Sequence, residues 1–213
     1  MRLRRPIDVG SRWWALVLLV LQAAAASGQQ ARVLSIRPES SEITILVDKA
    51  GAFGFAGHVH HVATRGASIR GEVRVVEKEP ARSSVRVEVD ARQLQVTGEG
   101  EPQQDVPEVQ RTMQMKVLEV ERYSQILFES RRLEVVRRTA DGARLRITGD
   151  LTLHGVTREQ TLEADVRLAP DRLRAEGELT IRQTDFRIEP VSAAAGLVKV
   201  ADRLKVHFAI EAR

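Results

Sequence analysis

The strongest constraint in this sequence is a period of two. Ile43, Ile45 and Val47 alternate with Glu42, Thr44 and Leu46, and Ile69, Gly71, Val73 and Val75 with Arg70, Glu72 and Arg74. The pattern recurs in Val85/Val87/Val89 and, at greater length, in Leu145/Ile147/Gly149/Leu151/Leu153. It continues through Leu162/Ala164/Val166/Leu168, Leu173/Ala175/Gly177/Leu179/Ile181 and Leu204/Val206/Phe208/Ile210. Strict alternation puts one face of each strand in a dry interior and the other in water. Turn residues separate the runs at Glu79-Pro80, Asp141-Gly142, His154-Gly155 and Pro170-Asp171, so hairpins and an antiparallel meander are expected. Parallel sheets would instead carry continuous apolar strands with helices between them. Arg and Glu fill the wet positions almost throughout, which leaves no apolar outer face for a second layer. The predicted fold is all-β, an antiparallel closed barrel of about eight strands with one accessory helix, because closure hides the dry face and removes edges.

Two longer stretches break the alternation. Asp105 to Glu121 reads as the helix, with Val109, Met113, Val117 and Val120 near one stripe and Pro107 early enough for a first turn. Gln93 to Gln104 reads as the polar loop leading into it. Ala50 to His61, rich in small residues, also carries Phe53, Phe55, His58, His60 and His61. Glu189 to Gly196 is a smaller irregular stretch.

The N-terminus has a different character. Arg2, Arg4, Arg5 and Arg12 precede an apolar run from Trp13 to Leu21, and Ala23 to Ala26 supply small residues after it. A spanning helix wants roughly 20 apolar residues, so residues 1–28 read as a cleaved secretory signal, with processing after Ala26 or Gly28. The predicted mature domain is 29–213, periplasmic or secreted, with no integral membrane span after cleavage. The signal holds four of the 33 basic residues and one of the 29 acidic ones, which leaves a mature net charge of +1. A near-neutral body argues against nucleic acid as a partner. The absence of cysteine excludes disulfide frameworks, thiolate metal sites and Cys nucleophiles.

Catalytic patterns are missing. Ser83, Ser84, Ser130 and Ser192 sit in no Gly-x-Ser-x-Gly elbow, and there is no Walker A, Gly-x-Gly-x-x-Gly or His-Glu-x-x-His run. The chain is therefore read as a non-enzyme with no required cofactor. Two candidate sites stand beside each other. His58 and His60 would share one strand face and are weak metal-ligand candidates, with His154 or His207 as outward-facing additions. The second is the interior: Gly71, Gly149 and Gly177 occupy inward positions and Ala164 and Ala175 are nearly as small. Small inward residues either open a lumen for an apolar ligand or mark strand bends and bulges.

The run Gly149-Asp150-Leu151-Thr152-Leu153-His154-Gly155-Val156-Thr157-Arg158 resembles the Gly-Asp-Leu-Thr-Leu-x-Gly-Val-Thr-Lys hairpin of the YceI-like polyisoprenoid-binding family. Ile69-Arg70-Gly71-Glu72-Val73, Lys116-Val117-Leu118-Glu119-Val120-Glu121-Arg122-Tyr123 and Ile126-Leu127-Phe128-Glu129-Ser130 agree in order. So do Asp185-Phe186-Arg187-Ile188 and the Leu204/Val206/Phe208/Ile210 strand, and the likeness spans roughly residues 34 to 211. The chain departs at Tyr123-Ser124, where the family has Tyr-Pro, and at Asp105-Val106-Pro107-Glu108, where it has Arg-Asp.

The resemblance implies a lipocalin-like barrel that holds an isoprenoid-type or other long lipid chain. It also implies that His58 or His60 matches a family histidine at the lumen mouth. The expected ligand-binding residues are Phe53, Phe55, His58, Gly71, Phe128, Ile147 and Gly149, with Leu151, Ala175, Gly177, Leu179, Phe186, Val206 and Phe208. The alternatives are a periplasmic metal-binding protein using His58 and His60, and a packed barrel serving as a protein-interaction module. A homodimer is compatible with each.

Overall fold

The computed structural model describes residues 31–50, 59–100, 102–193 and 198–213, and Ala31–Arg213 form one compact unit with its own core. Twelve strands among the described residues belong to one antiparallel, barrel-like sheet. They are β1 (Arg32–Ser35), β2 (Glu42–Ala50), β3 (His60–Arg65), β4 (Ile69–Val75), β5 (Ser84–Asp90) and β6 (Gln95–Val96). After the helix come β7 (Gln125–Arg138), β8 (Gly142–Leu153), β9 (Val156–Leu168), β10 (Leu173–Arg182), β11 (Ser192–Ala193) and β12 (Val198–Ala212). Every pairing is antiparallel, as the hairpin signals predict.

The expected closed barrel of about eight strands does not form: the sheet is a half-barrel with more strands, whose order runs from an edge at β1 to an edge at β6. Pairing runs β1-β4-β5-β7-β8-β9-β10-β12-β2-β3-β6, with β11 on β12, rather than around a plain eight-membered ring. The additional strands β1, β3, β6, β7 and β11 lie outside the alternating runs, and three single turns of 3-10 helix set some of their boundaries. Pro38–Ser40 separates β1 from β2, Gly66–Ser68 separates β3 from β4, and Ala91–Gln93 separates β5 from β6. The first carries Pro38 at its start, where a missing N–H costs nothing. In the third, the Asp90 carboxylate accepts the Arg92 N–H at 3.0 Å. Across the sheet, Ile36 bridges Ala212, while Ser35 and Arg213 exchange backbone hydrogen bonds of 2.7 and 2.9 Å. The beginning of β1 is thus joined to β4 on one side while its end lies against the end of β12.

The helix is shorter than the stripe suggested. α1 covers Val106–Thr112, and Met113–Val117 form a wider π-type turn in which the Leu118 N–H reaches back to the Met113 carbonyl at 2.8 Å. Glu119, with φ of 44°, stops it. Val109, Met113 and Leu118 pack against Val62, Leu94, Val96 and Val120, so the helical segment covers one end of the sheet. Outside, the wet positions pair with one another. Arg144 and Arg146 both donate to Glu163 at 2.9 Å, and Arg144 also reaches Asp165 at 2.9 Å. The Arg144 hydrogen bond, joined by that of Arg146, holds the Glu163 carboxyl below its ordinary range.

Candidate functional site

The inward side chains do not fill the interior. They enclose a cavity of about 600 Å³ whose walls come from nearly every strand and from the helical segment. Aliphatic residues dominate: Ile43, Ile45, Val62, Val85, Val87, Val89, Leu145, Leu162, Val166, Leu204 and Ile210 all face it. The few polar wall groups are mostly engaged. Thr64 Oγ1 bonds the buried Ser68 Oγ in the turn after its strand, and the Gln183 amide donates to the Ala201 carbonyl at 2.9 Å. Space lined in this way offers water too few partners and suits an apolar guest.

The expected ligand-binding residues divide into three groups. Phe128, Ile147, Leu151, Ala175, Leu179, Val206 and Phe208 line the cavity. Gly71, Gly149, Gly177 and Phe186 do not. Phe53, Phe55 and His58 lie outside the described residues.

The glycines are where backbones come close. A Cβ on Gly177 would stand 2.4 Å from the Glu163 carbonyl oxygen and 2.7 Å from Phe208 Cζ. At Gly149 the corresponding distances are 2.4 Å to the Glu129 carbonyl oxygen and 2.8 Å to Phe128 Cζ. The rings of Phe208 and Phe128 thus lie over the glycines of neighbouring strands, a packing that compensates for a missing side chain in a sheet. Gly71 is held at φ of +139°, and a Cβ there would meet the Arg86 carbonyl oxygen at 2.0 Å. Of the two readings of inward glycine, the bend or close approach is the one these contacts favour. Gly177→Leu is accordingly expected to cost about 3 kcal/mol or more of stability. Chemical denaturation measures this, and a variant as stable as the parent would refute it.

Phe186 is fully buried in a 3-10 turn, Thr184–Phe186, and packs with Leu151, Leu153, Ile181 and Ile188 behind the wall. Its aromatic character suggested a ligand contact, but the turn that follows β10 carries it out of the strand's alternation.

The histidines are dispersed. His60 lines the cavity, and His61 points the other way, toward Glu99 at 3.7 Å. His207 sits outside beside Glu178 at 3.7 Å. His154 is not an outward strand residue but the first residue of the β8–β9 turn, with φ of 51° followed by Gly155 at 71°. Its ring nitrogens lie 3.3 Å from the Phe186 carbonyl oxygen and 3.2 Å from Glu119 Oε1, and the ring packs on Tyr123 at 4.4 Å. It therefore fastens the helix end and the Thr184–Phe186 turn to the hairpin. Among the described residues no group of three or more His, Asp or Glu converges as a metal site.

Much of the wall was not singled out from the sequence. Val62, Leu162, Val166 and Leu204 line the cavity by the same alternation that marked Ile147 and Leu179, and the phase of each strand was the available signal. Thr64 and Ser68 carried none, since their contact spans a strand end and the turn after it.

Solved structures with the same fold are known. BcnA of Burkholderia cenocepacia superposes with a TM-score of 0.63 at 16% identity, covering 84% of this chain and 99% of that one. A polyisoprenoid binding domain from Saccharophagus degradans, implicated in plant cell wall breakdown, gives 0.59 at 13% identity, covering 84% and 97%. No curated protein matches the chain. The YceI-like domain family matches residues 34–212, nearly the whole barrel unit, and the chain belongs to that family.

Proposed function

We propose that this protein is an exported carrier or buffer that holds an isoprenoid-type or other long-chain lipid in the lumen of its barrel. The observation that carries this reading is the cavity of about 600 Å³, walled by aliphatic side chains. Its size falls within the roughly 300–1,000 Å³ common for ligand pockets. Burial contributes about 0.8 kcal/mol per methylene, so a long chain binds tightly without a strong polar contact. The family membership and the likeness to the polyisoprenoid binding domain from Saccharophagus degradans agree with a polyisoprenoid. The basic, apolar and small-residue order of residues 1–28 supports export to the periplasm or beyond. Among the described residues no helix is long and apolar enough to cross a membrane.

Native mass spectrometry of protein recovered from its own host, followed by lipid extraction, tests both parts. The expected species begins near Ser27 or Gln29 and carries a stoichiometric lipid. A chain starting at Met1 in the membrane fraction would overturn export. A stoichiometric transition metal, or a bare mass with no affinity for added long-chain lipid, would overturn the lumen reading.

A further inference from the structure

Three residues in the cavity wall, Glu77, Glu108 and Arg138, carry charge at neutral pH apart from any on His60. Glu77 pairs with Arg32 at 3.2 Å, and Glu108 pairs with Arg111 one helical turn on. Arg138 has no acidic partner among the described residues, although other arginines of the same hairpin do: Arg131 with Asp150, Arg132 with Glu134, Arg144 with Glu163.

Arg138 closes a strand whose second half is built differently from its first. β7 pairs with β5 only from Gln125 to Glu129. Beyond that it shifts register against β8 twice, between Ser130 and Arg132 and between Val135 and Arg137. The shifts disturb the alternation and leave Val135 and Val136 exposed at 36% and 45%, next to Arg137 and Arg138. The antiparallel order puts the β4–β5, β7–β8 and β9–β10 turns at one end of the sheet. Lys78 and Arg172 stand in the other two turns, also without acidic partners. Glu77, Glu79 and Asp141 are taken up by Arg32, Arg82 and Arg167, and Asp171 is the one carboxylate of these turns with no cation. This end therefore joins an adjacent pair of exposed valines to an excess of unpaired cations, on a body that is otherwise near neutral.

We infer that this end of the barrel docks on an anionic lipid surface. Val135 and Val136 enter the headgroup layer, and Lys78, Arg137, Arg138 and Arg172 meet lipid phosphates. Exposed apolar residues rimmed by cations have this complementarity, and the stems of long cations bury while their heads stay at the interface. Because Arg138 and Gly142 also line the cavity, a docked bilayer would meet the lumen there. That last step rests on the lumen reading, whereas the docking does not. The opposite end exposes Met115 and Val191, but the charges without ion pairs in the same segments, Lys116, Arg122 and Arg187 against Glu121, Asp185 and Glu189, balance.

The test uses the Ala31–Arg213 unit, which contains the whole sheet and core. It is floated with phosphatidylglycerol–phosphatidylcholine vesicles and with phosphatidylcholine vesicles alone, while Nile red binding in solution reports the lumen. Expected is flotation with the anionic vesicles only, weakening as salt is raised. Arg137→Glu combined with Arg172→Glu, two cations of this end outside the cavity wall, should lower vesicle partitioning about tenfold or more. Val135→Ser combined with Val136→Ser should lower it as well, and Met115→Ser should leave it unchanged. Nile red binding should persist in all three variants, which also shows that they are folded. Docking is overturned if the parent fails to float, floats equally with neutral vesicles, or loses binding through Met115→Ser rather than the hairpin variants. Flotation without Nile red binding in the parent would instead overturn the lumen reading and leave docking standing.

Discussion

Ala175→Phe is expected to cost long-chain ligands about a hundredfold in affinity while leaving the unliganded protein folded. Ala175 faces the lumen from β10, between Val166 of β9 and Ile210 of β12, and all three line the cavity. A phenyl ring at this point occupies the volume of about four methylenes of a bound chain. At about 0.8 kcal/mol each, that amounts to roughly 3 kcal/mol, or somewhat over two decades in Kd. Because the ring enters open space rather than a filled core, the Tm of the unliganded protein should change little. Titration with a long-chain lipid, beside a thermal melt, reads both quantities. Unchanged affinity with Tm preserved would mean that the chain binds elsewhere. A large fall in Tm would mean that the cavity is not open at Ala175.

Phe186→Ala should have the opposite profile. The ring is fully buried among Leu151, Leu153, Ile181 and Ile188, and removing it leaves a cavity in a packed cluster. Phe→Ala changes of this kind cost about 3–5 kcal/mol. The wall residues Leu151 and Ile181 lose their backing with it, so any weakening of ligand binding should track loss of fold. Urea denaturation measures the difference, and a loss below about 1 kcal/mol would show that the cluster collapses around the gap. Comparing the two variants separates a residue that competes with the ligand from one that holds the wall in place.

The phase of the strands was legible because alternation reports which face is dry, and that depends on local sequence alone. Ile147, Leu151, Ala175, Leu179 and Phe208 all face the lumen for this reason. The turn at His154-Gly155 was legible because few residues accept the positive φ of 51° and 71° that it needs. What alternation does not report is the backbone separation between neighbours. Gly149 and Gly177 share the inward phase, yet what determines their environment is a carbonyl oxygen of the adjacent strand and a ring lying over them. Strand count failed for a related reason. Short strands such as β6 (Gln95–Val96) and β11 (Ser192–Ala193) lie in stretches that read as irregular, because two residues cannot show an alternation. The ion-pair network hid the unpaired character of Arg138 in the same way, since a sequence crowded with Arg and Glu does not reveal which charges find partners.

The meeting of Ser35 and Ile36 with Ala212 and Arg213 has a kinetic consequence. It joins the first strand of the described unit to its last, a loop closure spanning almost the whole unit, so its entropy must be lost before the contact returns any stabilisation. Hairpins such as β8–β9 are complete once their own residues are present, but the Ile36–Ala212 seam has no partner until the final residues of β12 have emerged. A chain still being made therefore retains an unsealed sheet with an exposed apolar interior.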